Sequence, residues 1–190
     1  MTSKAVQEVV AELDSHRLRF EEFCRALSAE ELERSVPQST WIVRDFIAHL
    51  GTIDGPVGLM FDSMHSGGNA SMQEGDGGQF DIDRWNDRQV EPRRLWPLED
   101  VLAEAASERE VLRGKLLALT DEDLARTMKF GGDSKRPSTE IPFEAYLRGW
   151  CKHDPMHAMD MSRALPERQA GLAAWFDDPV IQGYQKAMNR

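Results

Sequence analysis

Apolar residues recur along this chain at spacings of three and four, the period of an α-helix, and no convincing two-residue alternation of a β-strand appears. The first stripe, Val6, Val9, Val10, Leu13, Phe20, Phe23, Cys24 and Leu27, predicts a helix from near Ser3 to near Leu27. Ser28 with Glu31 reads as a capping box opening one short turn, Ala29 to Glu33, and Pro37 then breaks the chain. A second long helix is expected from near Trp41, carrying Phe46, Ile47, Leu50, Ile53, Val57, Met60 and Met64, with a kink or an early end at Gly55-Pro56. A glycine-rich loop follows, from Ser66 to about Asp81, which reads as a disordered surface loop or a lid. A short helix around Arg84 to Val90 comes next. The third long helix should start after Pro97 and run to about Leu119, with Leu98, Leu102, Ala105, Leu112, Leu116 and Leu119 on its stripe and Arg109 interrupting it. Thr120 and Asp123 form another capping box, and Gly131 to Pro137 reads as a loop. A fourth long helix is expected from near Pro142 to Leu165-Pro166, carrying Phe143, Leu147, Trp150, Met161 and Ala164.

Four long amphipathic helices joined mostly by short connections describe an all-α four-helix bundle. The bundle should occupy residues 1–166, with residues 167–190 folding as one or two short helices that pack back through Trp175, Phe176, Ile181 and Tyr184. At 190 residues, with 41% hydrophobic and 29% charged positions, the chain suits one globular domain with a real core. It has no apolar run of membrane-spanning length and no apolar signal segment, so a cytoplasmic location is the expectation. The net charge of −10 argues against nucleic acid as a partner. Cys24 and Cys151 are too few and too far apart for a cysteine-rich zinc site and should be free thiols.

The chemistry lies in the histidines. His153 and His157 are four residues apart, so on a helix they share one face, and two imidazoles at that spacing can grip one ion. Trp150 and Met161 share that face, which points both rings inward. A third ligand should come from a facing helix, and His49, beside the stripe of the second helix, is the natural candidate. His65 falls on roughly the opposite side of that helix, and His16, between Leu13 and Phe20, reads as a core histidine with an internal partner. The bland alternative is a metal-free bundle whose histidines are structural.

The segment Trp41-Ile42-Val43-Arg44-Asp45-Phe46-Ile47-Ala48-His49-Leu50 resembles the W-x-V-R-D-x-x-x-H-L signature of the DinB/YfiT-like metalloproteins. That family includes the metal-binding domain of mycothiol-dependent maleylpyruvate isomerases. Its second signature, a histidine pair or a carboxylate–histidine pair on the last bundle helix, is met by His153-Asp154-Pro155-Met156-His157. The resemblance implies His49, His153 and His157 as metal ligands. It allows a homodimer through a bundle face, for which the sequence shows no specific patch. Two features depart from the family pattern: Pro155 between the histidines, expected to kink the helix and alter the bite of the pair, and Gly55-Pro56. The family's thiol-binding C-terminal domain is expected to be absent, because about 25 residues follow Leu165.

Three neutral imidazoles leave a coordination position open to water or substrate, the arrangement of a catalytic site. The resemblance implies a low-molecular-weight thiol that attacks an electrophilic substrate, hence a metal-dependent thiol S-transferase or thiol-dependent isomerase. The alternatives are a metal-dependent hydrolase and a non-catalytic metal-binding stress or interaction protein. Zinc is the default metal, with nickel and iron also suited to imidazole. Four neighbours are candidate pocket residues: Asp45, to orient a ligand imidazole or serve the start of its helix; Arg109, to bind an anion or extend from the bundle edge; and Tyr146 and Trp150, as pocket walls or plain core. Asp154 and Asp160 read as solvated charges.

Overall fold

The computed structural model describes residues 3–65 and 80–188. The lid or loop reading of Ser66 to Asp81 therefore lies outside the described residues, apart from Phe80, which is buried, and Asp81, which caps the next helix. The elements run α1 (Lys4–Arg25), α2 (Ala29–Leu32), α3 (Val43–Thr52), α4 (Asp54–His65), α5 (Ile82–Val90), α6 (Leu98–Leu117), α7 (Asp121–Leu124), β1 (Thr127–Phe130), β2 (Thr139–Pro142), α8 (Phe143–Trp150), α9 (His153–Ser162), α10 (Gln169–Phe176) and α11 (Pro179–Met188). The bundle is built from α1, the α3–α4 pair, α6 and the α8–α9 pair, with α10 and α11 lying against α9. Among the described residues no helix is long and apolar enough to cross a membrane.

Local chemistry sets most boundaries. Ser3 accepts the Val6 N–H at 3.2 Å and starts α1. Both expected capping boxes form: Glu31 N–H donates to Ser28 Oγ while Ser28 N–H donates to Glu31, and Thr120 and Asp123 repeat the exchange.

Two of the four expected long helices are split. The second breaks at Ile53, and α4 restarts on Asp54-Gly55-Pro56. The fourth breaks at Cys151-Lys152, and α9 restarts on His153-Asp154-Pro155. A first-turn proline lacks only an N–H that has no intrahelical partner there. The kink expected between His153 and His157 is therefore absent, because Pro155 sits in the first turn of a new helix.

Each restart places an aspartate at a helix N-terminus, where the backbone dipole favours negative charge. Asp54 is fully buried and Asp154 is 2% exposed. They meet Arg17 of α1 and Arg109 of α6. Arg17 donates to Asp154 through Nε at 2.8 Å, and Arg109 donates to Asp54 through Nε at 2.7 Å. Longer contacts close the ring, Arg17 to Asp54 at 3.4 Å and Arg109 to Asp154 at 3.3 Å. This neutral quartet is a polar layer through the bundle. One apolar cluster, including Phe20, Leu50, Leu102 and Ala158, lies to one side, and another, including Leu13, Val57, Leu112 and Cys151, lies to the other. On every bundle helix the charged residue falls between the two sets.

Two short strands, which the sequence does not predict, flank the expected loop at Gly131 to Pro137. A short antiparallel hairpin pairs Thr127 with Pro142 and Phe130 with Thr139, and Met128 on it is fully buried. Its connection passes through Gly132 at φ +85°, where an added Cβ would lie 2.8 Å from the Ser138 backbone nitrogen, so only glycine fits there without rearrangement.

Candidate metal centre

His49 lies near the end of α3, and His153 and His157 occupy the first and second turns of α9. One ring nitrogen from each falls within 4.8 Å of the others. The ring centroids stand 4.5 Å apart for His153 and His157, 5.0 Å for His49 and His157, and 5.5 Å for His49 and His153. His153 Nε2 and His157 Nε2 approach to 3.1 Å. Two nitrogens held tetrahedrally at about 2.0–2.1 Å from one ion would stand about 3.3 Å apart, so the pair already has nearly the bite of a shared cation. The helix restart is what allows this, because it puts both histidines on one uninterrupted helix.

His49 is buried at 4% exposure, while His153 and His157 are half-buried, so the cluster is closed on the α3 side and nearer the surface on the α9 side. Trp41 and Phe46 pack against the His49 and His157 rings at 5.3 and 5.6 Å. Trp150 stacks on His153 at 4.4 Å and 16°, and Tyr146 stacks in turn on Trp150. His49 Nδ1 and His153 Nδ1 are buried and meet no protein partner. Buried polar atoms rarely stay so. The donor set and the spacing fit a divalent cation.

Burial, and then the neighbouring His157, pushes the His49 pKa well below its ordinary 6.5. His153 is lowered in the same way, with His49, Arg109 and Arg17 adding to the effect. Both rings are therefore neutral near pH 7, as ligands must be. A stability effect follows. Below pH 6.5 the unfolded chain protonates these histidines while the folded chain resists, so stability falls as pH falls, by up to about 1.4 kcal/mol per pH unit for each ring. Melting of the metal-free protein between about pH 7.5 and about pH 5 should show this decline. A His49→Gln variant should have a shallower slope, and an unchanged slope would mean the acid sensitivity arises elsewhere.

The other expected residues are placed differently. The Asp45 carboxylate accepts the Ile42 N–H at 3.3 Å and pairs with Arg94 at 3.0 Å, so it serves the start of α3 rather than His49. Arg109 is neither at the bundle edge nor available to an anion, being locked in the quartet. Asp154 is not solvated. Burial would raise its pKa, but the Arg17 and Arg109 guanidiniums outweigh burial and hold it at about 2. Asp160 is not solvated either: it accepts from Arg163 at 3.0 Å and faces His157 Nδ1 at 3.1 Å. Cys151 points away, donates to the Val9 carbonyl, and is pushed up to about 12 by burial. His16 accepts from Trp175 Nε1 at 2.8 Å, as a core histidine with an internal partner would. The His65 side chain lies outside the described residues.

Arg17 and Tyr184 were not recognised as neighbours of the site from sequence. Arg17 does leave a trace there, as a charge on the apolar face of α1 between Leu13 and Phe20. Tyr184 leaves none beyond its place in the apolar tail.

Comparison with known proteins places this geometry in a family. The sequence model of the mycothiol maleylpyruvate isomerase N-terminal domain matches residues 13–161, a stretch that includes all three histidines. No curated protein matches. Two solved structures share the fold: a histidine-to-alanine mutant of the mycothiol-dependent maleylpyruvate isomerase, at TM-score 0.61 and 8% identity, and that isomerase itself, at 0.58 and 9%. Each alignment covers 82% of this chain and 60% of the other, so the chain spans well under two thirds of those proteins. With the family match covering most of its length, this chain belongs to the mycothiol maleylpyruvate isomerase N-terminal domain family.

Proposed function

We propose that His49, His153 and His157 hold one divalent cation, zinc by default with nickel or iron as alternatives, and that the site serves a thiol S-transferase or thiol-dependent isomerase. The observation that carries this reading is the ligand set. Three imidazoles converge, and among the described residues no fourth histidine, cysteine or carboxylate joins them. Such a set would leave the cation its full charge and a position free on the partly exposed α9 side. A cation held by these three imidazoles would lower the pKa of a thiol at that position, the chemistry that thiol addition to an electrophilic carbon needs.

The chain's own residues prepare that position. Burial keeps His49 and His153 neutral. Trp41, Phe46 and Trp150 wall the ligand rings and exclude water from their faces. The thiol route is favoured over hydrolysis by the family match, and the state of the nearby carboxylates offers hydrolysis no general base. A water nucleophile wants a carboxylate or imidazole free to take its proton. Here Asp45, Asp154 and Asp160 are committed to arginines. The names of the family and of the aligned structures support mycothiol as the thiol and an unsaturated keto acid as the substrate class.

The test is thiol addition to a chromogenic electrophile, with mycothiol and glutathione compared, using metal-loaded and chelated protein. Turnover that follows bound metal and disappears with chelator is the expected result. Loaded protein that accelerates no thiol would leave a metal-binding bundle without this chemistry.

A further inference from the structure

His157 does not stand alone on its outer side. Its Nδ1 lies 3.1 Å from Asp160 Oδ2, and the same oxygen accepts the Tyr184 hydroxyl at 2.8 Å. Arg163 donates to the other oxygen at 3.0 Å. Asp160 is 4% exposed, so these partners take the place of water. Tyr184 comes from α11, beyond the stretch that the family model matches. A second contact fixes α11 to the start of α9, where Lys152 pairs with Asp178 at 2.9 Å.

We infer that Tyr184 is a positioning residue for the metal centre, acting through Asp160 to hold His157 in the one tautomer that can ligate. A carboxylate only accepts hydrogen bonds, so His157 must carry its proton on Nδ1 to meet it. Nε2 is then left with a free lone pair, and Nε2 is the atom that faces His153. An anchored partner of this kind orients a ligand imidazole and raises its basicity. Tyr184 contributes by fixing the carboxylate. Arg163 holds Oδ1, the Tyr184 hydroxyl holds Oδ2, and the plane of the carboxylate is set toward the ring. Without the hydroxyl, Asp160 can turn on Arg163 alone, and the Nδ1 partner is lost part of the time. The inference rests on the proposed metal site for its meaning, while its test also reads the metal-free protein.

The decisive variant is Tyr184→Phe, which keeps the ring and removes only the hydroxyl. Two readouts are needed. In metal-free protein, nitrogen-15 NMR of the imidazoles should show wild-type His157 as a single Nδ1–H tautomer and the variant as a mixture. In cobalt(II) titrations, the variant should bind about tenfold more weakly, and Asp160→Asn about ten- to a hundredfold more weakly, with an altered visible spectrum. Melting temperature should stay near that of the wild type for Tyr184→Phe. Asp178→Asn is the control, since it loosens α11 without touching the chain of hydrogen bonds, and it should leave tautomer and affinity unchanged. A single tautomer with wild-type cobalt affinity in Tyr184→Phe would overturn the inference. Equal losses in Asp178→Asn would also overturn it, because the seating of α11 would then be responsible rather than the hydroxyl. Wild-type protein that binds no cobalt but holds one His157 tautomer, lost in Tyr184→Phe, would sink the metal reading and leave the positioning role standing.

Discussion

Purified protein should carry about one divalent metal ion per chain, and His153→Ala should carry none. The binding free energy of a closed four-ligand structural zinc site, about 10–16 kcal/mol, divides into roughly 2.5–4 kcal/mol per ligand, so losing one imidazole weakens binding by about two to three orders of magnitude. His49→Ala and His157→Ala should behave alike, because each leaves two ligands, too few for a tight site. Elemental analysis after gel filtration gives the stoichiometry. Loading should also raise the melting temperature of the wild type but not of the variants, since a ligand that binds only the folded state stabilises it. Wild-type protein that takes up no metal even on reconstitution would remove the basis of the proposed chemistry and leave three structural histidines.

The second large effect concerns stability. Asp154→Asn should destabilise the fold by about 3–5 kcal/mol, because it leaves two buried guanidiniums to share one carboxylate. Asp54 is already the weaker acid of the pair. Burial raises its pKa and the two arginines only partly offset this, and its Oδ1 has no partner. It cannot take over the charge of Asp154. The double variant Arg109→Leu with Asp54→Leu should cost less than the sum of its single changes, since it removes one ion pair whole and leaves Arg17 with Asp154. Urea unfolding of the four proteins gives the coupling. A loss under about 1 kcal/mol for Asp154→Asn would mean that water or movement relieves the stranded charges.

The histidines were legible because ligation depends on spacing within one helix, and His153 and His157 keep that spacing once α9 is a helix at all. The bundle was legible for a similar reason, its stripes being local. The polar layer was not. Whether Asp154 is solvated depends on Arg17, 137 positions away, and no local pattern reports that partner. The hints were charges on apolar faces, Arg17 between Leu13 and Phe20 and Arg109 within the stripe of α6, together with two aspartates just ahead of a proline. The break near Gly55-Pro56 was legible, and the one ahead of Pro155 could have been read the same way, since a proline is tolerated in a first turn and harmful inside a helix. The hairpin escaped because strands of four residues are too short for alternation to stand out.

The placement of the three proposed ligands also bears on how the protein would acquire a metal as it is made. His49 leaves the ribosome 104 residues ahead of His153. At about 5–20 residues per second that is an interval of roughly 5–20 s, during which the growing chain offers only one of the three proposed ligands, His49. A lone histidine cannot retain a cation against cellular chelators. On the proposed ligand set, metal selection would be deferred until α9 has emerged and packed against α3, so the ion would be chosen by a folded cavity rather than by an unfolded chain.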